Sequence, residues 1–189
     1  MAMPAMVRTD WTVDMLDALP EDGQRYEIID GQLFVTPAPS NPHQYIVGEL
    51  YARLLSYLRG SGVGYPVMSP SDVSRADRKR NRVQPDVFVV RVTNGKRPAG
   101  LFDLADLLLA VEVVSPGNPR YDYQTKRQLY LDAGIPEYWI VSHEARTVAR
   151  WRTADDPGEI LSQRLEWHPA GMPAPFELDL PQFFDEALG

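Results

Sequence analysis

Residues 107–114 read LLLAVEVV, an apolar run broken by a single carboxylate, Glu112. The run has the length of a strand and leaves no residues for a solvent face, so it predicts a central strand covered on both sides. A strand covered on both sides needs a layer on each, which points to an α/β fold. Glu112 is then the anomaly, because an unpaired charge in a covered strand is very costly. A structural ion pair, a strand end that reaches water, or a metal ion could compensate it. The segment SPGNP at 115–119 must break the chain just beyond, near the carboxyl end of the strand, where sheet-borne sites tend to open.

The rest of the chain supplies the layers. A short helix is expected near Val13–Ala18. YEIIDGQLFVT, at 26–36, alternates about Asp30-Gly31, the dipeptide of tight primed hairpin turns. Ser40 is placed to cap a helix with Pro42 near its first turn, and Ile46, Val47, Leu50, Tyr51, Leu54, Leu55 and Leu58 recur at helical spacing until Gly60. Residues 63–73 and 83–92 read as a long hairpin around the polar loop SRADRKRN. A second helix is expected from Tyr121 to Ala133, closed by Gly134, followed by strands in IPEYWIVS and RTVARWR. Beyond residue 152, Pro157, Pro169, Pro173 and Pro175 suggest an irregular tail with one more strand and a short final helix. With 189 residues, no internal repeat and no composition break, the expectation is one domain spanning 1–189. Its core covers about 25–152, with a C-terminal extension over 153–189. The predicted class is α/β, a mixed β-sheet core flanked by helices.

Composition narrows the chemistry. Cysteine is absent, which removes disulfides, thiolate zinc sites and cysteine nucleophiles together and fits a cytoplasmic setting. No apolar run reaches eighteen residues, so membrane spanning is not expected; the N-terminus lacks a secretory pattern. A GxGxxG loop, a Walker phosphate loop, a GxSxG elbow and HExxH are all missing, which argues against nucleotide-binding, serine hydrolase and zincin readings. The net charge of −7 opposes tight nonspecific binding of a polyanion. The charge is uneven, however: Arg75–Arg97 holds eight basic residues against Asp77 and Asp86, leaving the window at +6 and the remainder at −13. That window reads either as a phosphate-facing flank or as a solvated loop.

Asp86 poses the same problem as Glu112. It lies in VQPDVFVV beside Pro85, which removes a ladder donor and implies an edge or opening in the sheet. Two carboxylates converging from separate strands call for a cation or a shared proton, and hard oxygen ligands suit Mg2+ or Mn2+. On the following helix Asp122, Lys126 and Tyr130 are four apart and share one face. They form either a surface pair or a source of an ammonium group near the same opening.

Pro85-Asp86 followed by Glu112-Val113-Val114 resembles the PD-(D/E)XK signature. The series YEIIDG, NPH, QPDVFVV, VEVVSPGN, DYQTKRQLY and GIPEYWIVS resembles the Uma-type family of restriction-like endonucleases over about residues 25–152. The resemblance implies a restriction endonuclease-like fold. It also implies metal held by Asp86, Glu112 and the Val113 carbonyl, with Lys126 replacing the lysine whose usual place is taken by Val114. Glu27 joins the catalytic set by the same resemblance, and His43 lies near its rim. The implied function is metal-dependent phosphodiester hydrolysis with DNA as substrate; a homodimer would place two sites across a duplex. The rival readings are a noncatalytic binding or assembly module on the same fold and a hydrolase of small phosphoesters. His143 and His168 have no partner spacing for zinc.

Overall fold

The computed structural model describes residues 9–36, 38–75, 79–114 and 121–189. The first helix, α1 (Val13–Asp17), is capped by the Thr12 side chain, which accepts from the Met15 amide. Strands β1 (Arg25–Ile29) and β2 (Gln32–Thr36) pair antiparallel with Ile29 opposite Gln32, so only Asp30 and Gly31 turn the chain. Both have positive φ, 50° and 78°, as a type I′ turn requires. A β-carbon at Gly31 would lie 2.4 Å from the Thr9 carbonyl oxygen, so the turn needs glycine on steric grounds as well.

Helix α2 (Asn41–Leu58) starts at the expected cap, with the Ser40 side chain accepting from the His43 amide. Its stripe of Ile46, Val47, Leu50, Leu54 and Leu58 is buried. The hairpin expected between 63 and 92 keeps its pairing but is split in the middle. Its outer halves, β3 (Gly64–Met68) and β6 (Val87–Arg91), pair antiparallel. Its inner halves, β4 (Val73–Ser74) and β5 (Arg82–Val83), also pair antiparallel but in a different sheet. Pro85 lies at the split, and the Asp86 carbonyl there accepts from the Ser69 amide. A proline that cannot donate to a ladder is well placed where a strand passes from one sheet to another. Residues 76–78 of the basic loop lie outside the described residues.

The smaller sheet runs β2-β1-β5-β4-β7, where β7 is Phe102–Asp103. The larger runs β11 (Glu159–Leu161), β10 (Thr147–Trp151), β9 (Tyr138–Ser142), β8 (Leu107–Val114), β6 and β3 in that order. Its inner strand β8 (Leu107–Val114) is buried at every residue, as its composition demands. Leu109, Val111 and Val113 join the α2 side of the core, while Ala110 and Val114 join the side carrying Leu129 and Tyr130. Strand β9 (Tyr138–Ser142) is parallel to β8 and β10 (Thr147–Trp151) is antiparallel to β9, so the sheet is mixed. The crossover from β8 to β9 contains the expected helix, but its first part, Tyr121–Lys126, is π-helical and only α3 (Arg127–Asp132) is α-helical. The predicted break at SPGNP lies outside the described residues.

The C-terminal segment is more ordered than its prolines suggest. It forms β11 (Glu159–Leu161), β12 (Arg164–Trp167), β13 (Phe176–Asp179) and α4 (Leu180–Leu188). Leu165, Trp167, Phe176, Leu178, Leu180, Phe183 and Phe184 are buried in the same cluster as the α2 stripe. The prolines occupy the connections between these elements, where no ladder donor is lost. Among the described residues no helix is long and apolar enough to cross a membrane.

Candidate active site

The polar residues that composition would place on the surface are instead buried where the two sheets meet. Along β1, alternation puts Arg25, Glu27 and Ile29 on one face; Ile29 packs with the helix-side core and Glu27 is fully buried. Extending the β6–β8 register by one step from Val87 opposite Val111 sets Asp86 opposite Glu112. Asp86 is 3% exposed and Glu112 2%. Lys126 and Tyr130 face Glu112 from the crossover helix, and His43 faces Asp86 from α2.

These groups form two connected halves. In the first, the Lys126 Nζ lies 3.0 Å from Glu112 Oε1, 3.1 Å from Glu27 Oε2 and 3.8 Å from Asp122 Oδ1. The Tyr130 hydroxyl donates to Glu112 Oε1 at 2.8 Å. Glu27 also accepts from the Gln84 amide at 2.8 Å and the Tyr121 hydroxyl at 3.4 Å. The four-residue spacing of Asp122, Lys126 and Tyr130 thus faces the buried carboxylates, through a π-helical turn of the kind frequent at functional sites. In the second half, Asp86 Oδ1 accepts from Arg25 Nη1 at 2.9 Å. Its Oδ2 accepts from the Val113 amide at 2.8 Å and lies 3.0 Å from His43 Nε2. The Val113 N–H, next in sequence to Glu112, joins the halves.

The electrostatics of the two carboxylates diverge. Burial alone would raise Asp86, but the His43 hydrogen bond and the charges of Arg25 and Lys126 hold it well below the usual carboxylate range. At Glu112 burial dominates, and Asp86, Asp122 and Glu27 add to it, so its carboxyl is pushed well up despite Lys126. Burial likewise raises Asp122, to about 6. Burial would lower Lys126, but Glu112, Glu27 and Asp122 outweigh it and raise its affinity for a proton. Four carboxyl groups here meet two permanent cations, Arg25 and Lys126, and burial together with that crowding raises Glu112 and Asp122. Hard oxygen donors short of counter-charge are the chemistry that fits a divalent cation. Among the described residues, however, no three His, Asp or Glu side chains are grouped to hold a metal ion.

All of the residues singled out from sequence, Asp86, Glu112, Val113, Lys126 and Glu27, lie in this cluster. His43 is buried, bonds to Asp86 and lines the cleft on that side. Arg25, Tyr121 and Gln84 were not foreseen. The signal for Arg25 was present, since a residue two before Glu27 on a strand shares its face. Nothing local marks Tyr121, whose ring stacks on Phe34 at 4.3 Å. Among its described residues the basic window does not form one surface. Arg80 donates to the carbonyls of Thr9 and Asp30, and Arg82 pairs with Asp17. Arg97 stacks 3.7 Å over Tyr65 beyond the far end of β6.

A cleft of about 380 Å³ opens on the Asp86 half, walled by Arg25, His43, Gln44, Gln84 and Asp86 among others. The cluster is therefore reachable from solvent on the side of Asp86.

A family model named Uma2 and described as "Putative restriction endonuclease" matches residues 13–184. A crystal structure described as a "putative nuclease belonging to DUF820", from Anabaena variabilis ATCC 29413, superimposes with a TM-score of 0.76. The match covers 94% of this chain and 99% of that one at 19% sequence identity, a likeness of fold. No curated protein sequence matches the chain.

Proposed function

The chain belongs to the Uma2 family, and from that premise we propose that it is a divalent-metal-dependent endonuclease hydrolysing phosphodiester bonds in DNA. The observation that carries the proposal is the excess of carboxyl groups over cations in the buried cluster, whose Asp86 lines a cleft. A closed structural network gains little by holding more acids than cations, since each uncompensated charge is costly. A cation-binding network needs that surplus.

Asp86, Glu112 and the Val113 carbonyl would hold Mg2+ or Mn2+. When bound, the ion would polarise the phosphodiester and make nearby water more acidic. The protein's own groups do the positioning. The Val113 amide and His43 orient Asp86, and Tyr130 orients Glu112. The Lys126 ammonium, braced by Glu27, stabilises negative charge developing at the attacking water or phosphoryl oxygens. Two copies of the chain would bring two such sites to the two strands of a duplex.

Purified protein should nick plasmid DNA with Mg2+ or Mn2+. Asp86→Asn, Glu112→Gln and Lys126→Met should each lower the rate by at least about a hundredfold, in the range of losing a catalytic charge. Equal cleavage by all three variants would identify a contaminant and defeat the proposal. Turnover of a model phosphodiester that DNA does not compete with would shift the substrate to small phosphoesters.

One observation favours a noncatalytic binding module: both Asp86 oxygens are already engaged by protein donors. That reading expects no Mn2+ binding by the intact protein.

A further inference from the structure

Arg25 is bonded to a carboxylate that the metal-dependent reading assigns to the cation. Both of its described hydrogen bonds leave from Nη1, to Asp86 Oδ1 at 2.9 Å and the Gln84 carbonyl at 3.1 Å. Asp86 Oδ2 is held by the Val113 amide and His43, so Oδ1 is the oxygen whose described partner is the long side chain of Arg25. Arg25 also borders the cleft, with its side chain 17% exposed. Among the described residues lining that cleft it is the one arginine or lysine, and Asp86 is the one carboxylate. Lys126 does not line it and is engaged by Glu112 and Glu27.

A phosphodiester entering the cleft therefore meets the permanent positive charge of Arg25. From this geometry we infer that Arg25 binds substrate phosphate and that it rests on Asp86 until a divalent cation takes that carboxylate. This inference rests on the metal-dependent reading above. A divalent ion competes for Asp86 with twice the charge of a guanidinium. The released guanidinium has a planar fork that matches two oxygens of a phosphate. Its position at the first residue of β1 gives it a fixed root beside the cleft, while its long side chain lets the head move between the two acceptors. The exchange makes phosphate binding conditional on metal loading, because Asp86 and a phosphate compete for the same guanidinium.

The test uses the full chain and two variants, Arg25→Met and Arg25→Lys. Mn2+ binding is measured by calorimetry, and binding of a short DNA duplex by fluorescence anisotropy in Ca2+. Arg25→Met should bind Mn2+ as tightly as wild type or several-fold tighter, because the competing guanidinium is gone. Its duplex affinity in Ca2+ should fall by about tenfold, the equivalent of 1.4 kcal/mol. Arg25→Lys keeps the charge that neutralises Asp86 and so should preserve the fold, yet lose several-fold in duplex affinity for want of the fork. Weaker Mn2+ binding by a folded Arg25→Met would make Arg25 a structural brace and overturn the inference. So would unchanged duplex affinity in both variants. Wild-type protein that neither binds Mn2+ nor cleaves overturns the underlying reading together with this one. Wild-type protein that does both, beside variants indistinguishable from it, overturns the role of Arg25 alone.

Discussion

Lys126 Nζ lies 3.0 Å from Glu112 Oε1, and the same ammonium reaches Glu27 at 3.1 Å, so one lysine bridges strands from two different sheets. Its side chain is 3% exposed, which makes it the internal counter-charge of the junction. In this pair the proposed catalytic duty coincides with a structural one.

Removing that counter-charge should destabilise the protein strongly. Breaking a buried pair by deleting one partner costs about 3–5 kcal/mol, so Lys126→Met should lose about that much at pH 8. Combining it with Glu112→Gln should recover part of the loss, because the double variant buries one charge fewer. Urea unfolding of the four members of the cycle measures the coupling. Strictly additive losses would show that the two side chains do not act as a pair.

The protonation of the cluster gives metal-free protein a characteristic pH profile. Asp122 is raised to about 6 and Glu112 well above its ordinary value, chiefly by burial. The folded state therefore holds protons that the unfolded chain releases from about pH 4. Where the folded state binds more protons, stability falls as pH rises. The thermal midpoint should thus decline between pH 5 and pH 8. Asp86 acts with the opposite sign and in a lower window: its depressed carboxyl contributes stability above about pH 4 that is lost in stronger acid. Asp122→Asn should flatten the decline near pH 6, and Mn2+ should raise the midpoint most at pH 8. A midpoint that climbs from pH 5 to pH 8 without metal contradicts this account.

The C-terminal helix should prove integral to the core. Phe183 and Phe184 have no exposed surface and pack in the cluster that also holds Leu50 and Leu54. Arg53 of α2 bonds to Glu186 across the same contact. Phe183→Ala should cost about 3–5 kcal/mol, the usual range for a buried aromatic. Deletion of residues 180–189 should leave no cooperative unfolding transition. A loss below about 1 kcal/mol for Phe183→Ala would instead mark the helix as an appendage.

The prolines that suggested an irregular tail were misleading for a physical reason. Proline forbids ladder bonds only where its own nitrogen would donate, and these prolines lie between the elements. The alternation in RLEW and FELD, with Leu165, Trp167, Phe176 and Leu178 buried, was the better signal. The long hairpin was misread in a related way. Both of its pairings are local enough to expect, but the passage at Gln84–Asp86 from one sheet to the other is set by what packs around it.

What the sequence determined by itself was local and periodic. An eight-residue apolar run had to be an inner strand, Asp30-Gly31 had to turn a hairpin, and the four-residue spacing of Asp122, Lys126 and Tyr130 had to place them on one side of a helix. These follow from strand and helix repeats and from the steric freedom of glycine, which act between near neighbours. The tertiary structure alone decided that Arg25 meets Asp86 across 61 residues and that His43 meets it across 43. It also decided that the cleft opens on Asp86 and not on Lys126. Such meetings depend on which strands pair and where two sheets join, and no short-range repeat in the chain encodes them.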